Sequence, residues 1–491
     1  PPRDPMRVKV LSTDLRIVNM RLRMPFRFGI TTLTELPHLF VSLLLEVDGR
    51  QMWGVAADGL PNKWFTKDPE TRYRDDIDDM LKVIRTACDI AVAAGANASV
   101  FDLWDRTYQA QIAWAGGWGY PPLLAGFGAS LVERAMIDAF CRDQGVPFST
   151  VLRDDRLGLQ LVRIHPELEG AKPRDLLPAA PLRQITVRHT VGLTDPLTDA
   201  EISDVDRVSD GLPQSLEACI RDYGLTHFKI KLWGDAAKDA QRVRSVADVI
   251  TRNAGEHFAF TLDGNENFKA VEPFRAFWAA LASEPALAGF LKNLIFVEQP
   301  LHRSVALEEG AMKEFAAWQE RPPTIIDESD GTLTTARQAI AFGYAGTSHK
   351  NCKGVFKGIA NACLIEYRRR NDRSRPFVLS AEDLTNVSPV ALQQDLCVIA
   401  NLGITHAERN GHHYFKGLTM FPADVQEAVL AAHPDLFRRH EAGFATTRIV
   451  GGVVRIGSVI NEAFGAATKL DLSRFVGVDQ WTYESLADAP R

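Results

Sequence analysis

Cysteine is sparse and unpatterned: Cys88, Cys141, Cys219, Cys352, Cys363 and Cys397 are six in 491 residues, with no C-x-x-C pair. That distribution argues against a disulfide framework and for reduced residues buried in a core. Long apolar runs are missing too. The longest, around Leu39 to Val47, falls far short of the roughly 18 residues that span a bilayer. There is no basic excess: net charge is −6 and no basic stripe carries interleaved aromatics, so a nucleic-acid partner is not expected. The opening PPRDPMRVKV has no apolar h-region, so no secretory leader is expected and the cytoplasm is the default compartment. No Ser or Cys sits in a nucleophile-elbow context. Gly126-Phe127-Gly128 lacks the preceding strand of a nucleotide-binding loop. His412-His413 cannot both face one side of a strand, so a surface position is expected rather than a zinc site.

What is present is an ordinary globular balance, 46% apolar and 24% charged, at a length suited to about two to four domains. Val8 to Met20 and Leu39 to Val47, the latter followed by Asp48-Gly49, read as antiparallel strands. Arg74 to Ala94 and Ser130 to Phe140 read as helices. Residues 1–152 are therefore expected to form an α+β domain, and the Asp/Pro/Arg-rich stretch 153–183 a linker or insertion. From 184 to 420 the pattern is strand then helix, repeated. Strands are expected at Ile185–Val191, His227–Leu232, Phe258–Asp263, Leu294–Glu298, Thr324–Asp327, Gly346–Lys350, Phe377–Ser380 and Leu402–Glu408. Eight parallel strands with returning helices predict an α/β fold, a (β/α)8 TIM-like barrel, modified by its additions. Residues 421–491, with a strand-like Gly452–Ile456, are expected to pack back on the N-terminal domain.

Five charged residues end five consecutive runs: Lys231 in THFKIKL, Asp263 in HFAFTLD, Glu298 in NLIFVE, Asp327 in TIID and Lys350 in AGTSHK. Intervals of 32, 35, 29 and 23 residues suit one strand plus one helix each. Chemistry in such barrels sits at the C-terminal strand ends. Alternation puts Lys229 with Lys231, Thr261 with Asp263 and Ser348 with Lys350. Charges on that inner face need partners, because desolvating them is costly.

Asp263, Glu298 and Asp327 are hard oxygen ligands on adjacent strands, a set suited to Mg²⁺. Such an ion stabilises an enediolate formed when a proton leaves the carbon α to a carboxylate. A lysine acting as base must be neutral, and a neighbouring cation such as Lys229 beside Lys231 favours that. Lys229 itself reads equally as an ion-pair partner or a catalytic group.

K-I-K, T-L-D-G-N, F-V-E-Q-P, I-I-D-E-S and the later Lys350 together resemble the enolase superfamily, in its muconate-lactonising-enzyme subgroup. Glu133-Arg134-Ala135-Met136-Ile137-Asp138, followed by Gly145-Val146-Pro147, resembles the helix joining that family's capping domain to its barrel. The resemblance covers roughly residues 8 to 420. It implies an isomerase or lyase with a capping domain at 1–152, a small-molecule carboxylate substrate and a homo-oligomer. By motif, Lys231 and Lys350 would be acid/base groups on opposite substrate faces, and Asp263, Glu298 and Asp327 the Mg²⁺ ligands. Asn265 and Glu328 would orient ligands or Lys350. Phe28, within Phe26-Arg27-Phe28, and the Gly59–Phe65 stretch would lie in capping loops. Lys353 keeps the family's five-residue distance to a glycine, Gly358, and competes with Lys350. Glu382, His406 and Glu408, at the seventh and eighth strands, read as substrate contacts or as solvated strand ends. The His–Asp dyad of the mandelate-racemase subgroup has no counterpart here.

Lysines on both faces permit racemisation, epimerisation, cycloisomerisation or elimination. Two rivals stand: an aldolase using Lys231 as a Schiff-base nucleophile, which leaves three carboxylates unused, and a non-catalytic binding protein on a barrel scaffold.

Overall fold

In the computed structural model, which describes residues 6–255, 257–467 and 470–490, the chain starts with three long antiparallel strands: β1 (Val8–Phe28), β2 (Thr31–Val47) and β3 (Arg50–Gly59). Asp48 and Gly49 join β2 to β3 with φ of 48° and 82°, the left-handed pair that a two-residue hairpin of matching twist requires. The β1–β2 hairpin turns at Gly29-Ile30, so Phe26, Arg27 and Phe28 belong to the end of a strand rather than to a loop. A register shift between Arg21 and Phe26 interrupts the ladder below that tip. Such irregularities bend the strand that carries them.

Three helices cover one face of this sheet: α1 (Tyr73–Ala93), α2 (Val100–Trp118) and α3 (Pro122–Gln144). Helix α2 has no counterpart in the sequence reading, and α3 is about twice the length of the stretch assigned to it. The cause for α3 is burial on every side. All residues from Leu123 to Cys141 are buried, and a helix with no wet face shows no apolar stripe to recognise. Close approach is built into two glycines. A Cβ on Gly54 would lie 2.1 Å from Ala135 O, and one on Gly128 would lie 2.3 Å from Val83 O. Gly128 thus serves a helix crossing, not a phosphate loop.

The second sheet holds eight parallel strands: β4 (Gln184–Val191), β5 (His227–Lys231), β6 (Ala259–Asp263), β7 (Leu294–Glu298), β8 (Thr324–Ile326), β9 (Gly346–His349), β10 (Val378–Ala381) and β11 (His406–Glu408). They are ordered β10-β9-β8-β7-β6-β5-β4-β11, the arrangement of a (β/α)8 barrel. Helices return the chain between them, such as Ala236–Ala254, Val355–Asn371 and Ala391–Leu402. Leu402, expected to open the last strand, instead ends that last helix, which Gly403 caps at φ 76°. Among the described residues no ladder joins β10 to β11. Side chains bridge that seam: Arg188 on β4 bonds Ser380 Oγ and the Ala381 carbonyl at β10, and His406 Nδ1 on β11.

Residues 153–183 fold into short turns whose Leu157, Leu159, Leu161, Ile164 and Leu168 are buried. His165 there meets Asn361 of the helix Val355–Asn371 at 2.9 Å. Beyond residue 420 the chain divides its contacts. Val453–Arg455 pairs antiparallel with β4 of the barrel, whereas Val476–Gly477 pairs with β1. Trp481 Nε1 donates to Asn19 Oδ1 and Asn19 Nδ2 to the Ser485 carbonyl. No described helix is long and apolar enough to cross a membrane.

Glu133 on α3 fastens the two halves. Its Oε1 accepts from the Phe356 amide at 2.6 Å, in the first turn of Val355–Asn371, where a helix favours negative charge. Burial nevertheless raises its carboxyl from the ordinary 4.5 to about 7. The folded chain therefore holds a proton that the unfolded chain releases between those two values. Stability accordingly declines as pH rises across that window, by at most about 3 kcal/mol. Glu133→Gln keeps the acceptor without the charge, so the variant gains on the wild type from pH 4.5 to 7 in urea denaturation. Parallel pH curves would show that Glu133 does not titrate in this way.

Candidate active site

Strand alternation decides which side chains meet inside the barrel. Odd-numbered residues of β5 and β6 point inward and place Lys229 beside Thr261 and, one level higher, Lys231 beside Asp263. β7 adds Glu298, and Asp327 and Lys350 follow directly after β8 and β9. The five strand-end charges are brought together, every one of them buried.

Lys229 is the hub. Its Nζ lies 2.8 Å from Glu382 Oε2, 2.8 Å from Glu408 Oε2, 2.9 Å from Glu298 Oε2 and 3.2 Å from Asp263 Oδ2. Burial works against its charge, but the four carboxylates outweigh that and hold the ammonium well above its ordinary 10.5. This cage leaves Lys229 no lone pair to offer. Its neighbour reaches only one acid: Lys231 Nζ sits 2.5 Å from Asp263 Oδ2. On the opposite side, Lys350 Nζ lies 2.5 Å from Asp327 Oδ2, and Lys353 Nζ lies 2.7 Å from Asp327 Oδ1. Lys353 also donates to the Ser348 carbonyl at 3.0 Å and its hydroxyl at 2.9 Å. It is thereby tied to the backbone of β9. Lys350 lines the central cavity with Lys231, Asp263 and Asp327; Lys353 does not.

That cavity is about 40 Å³, room for two or three waters. Phe26, Phe28, Leu33, Pro61 and Trp64 form its roof; Thr385 and Asn410 add polar groups. The Trp64 ring lies 4.4 Å from Lys350 Nζ, a cation–π contact. Arg303 clamps the segment carrying Trp64. It donates to the carbonyls of Phe65 (2.8 Å) and Trp64 (2.9 Å), and pairs with Glu266 at 2.7 Å. Asn265, Glu266, Gln299 and Thr385 all have positive φ, at the C-terminal ends of β6, β7 and β10, where strained backbone aims side chains at a site.

Remaining residues fall in distinct places. Asn265 orients Asp263 through its backbone amide (2.9 Å) and its Nδ2 (3.3 Å). Glu328 is buried and raised to about 7, by burial first and then by Asp327. No hydrogen bond joins it to Lys350. Phe28 and Glu408 line the cavity, and Glu382 lies beneath it, holding Lys229 and Arg188. His406 is a correction. It opens β11 at the other end of the strand, with Nδ1 2.8 Å from Arg188, and lines no part of the cavity. Sequence reading also passed over Arg188, Gln299 and Arg303. Arg188 had a signal, a full charge in the middle of a β-branched strand, QITVRHTV. Gln299, inside F-V-E-Q-P, holds the Asp327 amide at 2.7 Å, and Arg303 follows that motif by three residues, but the partners of both come from other strands and loops, so their roles needed the fold.

Asp263, Glu298 and Asp327 suit a hard divalent cation in donor type: oxygen only, from adjacent strands. Two further acceptors beside them, Asn265 Oδ1 and Glu328 Oε2, are buried with no hydrogen-bond donor. Glu298 is held well above its ordinary 4.5, by burial and then by repulsion from Asp263 and Glu382. All three signs point to oxygen atoms short of a positive partner. The three carboxylates stand wider than ion ligands do, since their oxygens are not all within 4.8 Å of one another.

Comparisons with known proteins agree on architecture. No family model matches the sequence, and no curated protein does. Solved structures do match. An N-succinyl Arg/Lys racemase from Bacillus cereus has 16% identity and a TM-score of 0.60, covering 96% of this chain and 98% of its own. A mandelate racemase/muconate lactonizing protein from Herpetosiphon aurantiacus gives 15% and 0.57, over 92% and 97%. A dipeptide epimerase from Enterococcus faecalis, solved with Mg and L-Leu-L-Tyr, gives 14% and 0.55, over 91% and 100%. This chain has their fold, a barrel with an N-terminal antiparallel cap.

The Arg303 clamp has a measurable consequence. Arg303→Ala removes two carbonyl partners and leaves Glu266 without its principal cation. Amides of the 61–71 segment should exchange with deuterium about ten-fold faster or more, while those of β5 to β7 stay protected. Unchanged exchange in that segment would mean that other contacts hold it.

Proposed function

We propose that this chain is a Mg²⁺-dependent enzyme of the enolase superfamily, abstracting the proton α to the carboxylate of a small molecule. One observation carries the reading: Lys231 and Lys350 face one cavity from opposite strands, with Asp263 and Asp327 between them. Two basic groups across a shared pocket are what proton removal from one face and return to the other requires.

Asp263, Glu298 and Asp327 would hold the ion. When bound, Mg²⁺ supplies the positive charge that stabilises an enediolate. The chain's own residues do the rest. A base must be neutral. Burial pushes Lys350 down, but Asp327 pulls its ammonium above the ordinary 10.5. Lys350 therefore becomes a base only when the charge of Asp327 is taken up by another cation, as a bound ion would do. Lys231 is set on the other face as the partner acid or base. Lys353, bonded to β9, keeps Asp327 in place rather than meeting substrate. A cavity of about 40 Å³ does not admit a substrate, so the hairpin tip with Phe28 and the Trp64 segment must lift and reclose. Reclosure excludes water from the carbanion. The roof offers aromatic and aliphatic carbon and no charge, which suits a carboxylate with an apolar body.

The test is α-hydrogen exchange in D2O, followed by NMR over a panel of apolar small carboxylates with Mg²⁺. Lys350→Ala and Lys231→Ala should each reduce turnover by about 100-fold or more, and Lys353→Ala less. Retained exchange in Lys350→Ala with loss in Lys353→Ala would reverse the assignment. Borohydride trapping of substrate on Lys231, with activity surviving EDTA, would replace this reading with the aldolase.

A further inference from the structure

The pair His412-His413 is not on the surface. It lies in the turn Gly411–Tyr414, with both rings buried. A helical turn, unlike a strand, lets neighbouring side chains point into one interior space. His413 faces two other potential ligands. Cys219 Sγ, on the helix Leu216–Tyr223, is 3.6 Å from His413 Nδ1. The ring of His189, on the outer face of β4, has its centroid 4.7 Å from that of His413. Ligand atoms of His189, Cys219 and His413 all fall within 4.8 Å of one another, the sole such trio of His, Cys, Asp or Glu among the described residues.

We propose that His189, Cys219 and His413 form a structural zinc site between barrel strand β4 and the outer helices, separate from the carboxylate centre. Three independent features support this. First, a tetrahedral zinc with sulfur at about 2.3 Å and nitrogen at about 2.1 Å holds those two atoms about 3.6 Å apart, the separation found. Second, His189 Nδ1 is buried without a hydrogen-bond partner, and so is Nε2 of His412, whose ring lies 5.6 Å from His189. His412 thus offers a further unpartnered donor nitrogen beside the trio. Third, with Nδ1 of His413 toward the ion, its Nε2 lies 4.0 Å from Asp195 Oδ2, beyond hydrogen-bond reach but close enough for that carboxylate's charge to act on the ring. Asp195 is itself fixed by Tyr414 OH and the Gly192 amide.

Charge closes as well. Zinc takes neutral imidazole and thiolate, so Cys219 gives up its proton on binding. Binding releases that thiol proton to solvent. The thiolate and Asp195 then balance the two positive charges of the ion. Arg23 is neutralised by a bidentate pair with Asp210 while it donates to the His413 carbonyl. Soft sulfur with two imidazoles selects zinc over magnesium.

The experiment uses the full chain, denatured with chelator and refolded with Zn²⁺ or Co²⁺, then dialysed against EDTA. The expected result is about one retained ion per chain. The cobalt form should show a thiolate-to-metal charge-transfer band, and zinc X-ray absorption a shell of one sulfur with nitrogens. Cys219→Ser and His189→Gln should lose the band and most of the metal. Wild type that retains no ion, a metal shell of oxygen alone, or a band that survives Cys219→Ser overturns the proposal. If the variants do not fold, the wild-type absorption shell decides, because the carboxylate centre contains no sulfur.

Discussion

A single buried ammonium organises the barrel interior. Lys229 Nζ lies within 3.2 Å of carboxylates from β6 and β7 and from the ends of β10 and β11. Four such acids without it would repel one another in a medium that screens poorly. With it, each is held at one vertex of a cage, and the geometry of the strands is transmitted to the acids. The cage also crosses the seam where β10 and β11 share no ladder, since Glu382 and Glu408 grip the same ammonium from either side. Arg188 does the same one layer below. The barrel is closed there by charge rather than by backbone pairing, so the interior is at once the wall's cement and the floor of the cavity. Asp263 and Glu298 belong both to the cage and to the proposed ion site. Charge brought to that site is therefore felt by the fold.

The same economy explains what was legible beforehand. Strand ends were legible because each carries a short apolar run closed by a charge, and the run and the charge are local in sequence. Leu294–Glu298 was read with both boundaries as found. Asp48-Gly49 was legible because two left-handed residues leave few alternatives to a hairpin. What failed was what depends on distant contacts. Helix α3 is buried all round and shows no stripe. A strand running from Leu402 puts His406 near its active end, whereas the strand begins at His406. Strand geometry sends His412 and His413 to the surface, whereas a helical turn buries both. Lys350 and Lys353 could not be separated by spacing. Their difference lies in Ser348, which binds one of them to β9 and leaves the other facing the cavity.

Closure of the cavity follows from where the roof is anchored. Phe26 stacks on Tyr414 at 4.2 Å and Phe65 on Phe127 at 4.2 Å, so both roof elements have aromatic anchors on residues that do not line the cavity. Their tips, Phe28 and Trp64, line it with Phe26. Arg303 and Glu266 hold the Trp64 segment by polar contacts alone, and these exchange readily with water. The anchors can thus stay packed while a tip lifts. Strength of closure is set by a few hydrogen bonds near the acids, in particular at Glu266, which follows Asn265 and so shares a loop with Asp263.

Strand β4 shows how one short segment serves two chemistries. Its inward residues, Arg188 and Thr190, reach Glu382 and Glu408; its outward residue, His189, reaches His413 and lies within range of Cys219. Period-two alternation keeps these apart by the thickness of a backbone. The inner face offers hard oxygen around buried ammonium groups, open to the central cavity. The outer face offers sulfur and imidazole sealed from solvent, where an ion has no substrate to meet and can only hold parts together. The parts it would hold are telling: β4, the helix after it, and the turn at Gly411–Tyr414 on which Phe26 stacks. Fixing that turn fixes the root of the hairpin whose tip roofs the cavity. A buried soft-ligand cluster on the outer wall would then act on the inner site only by rigidity, through Tyr414 and Phe26.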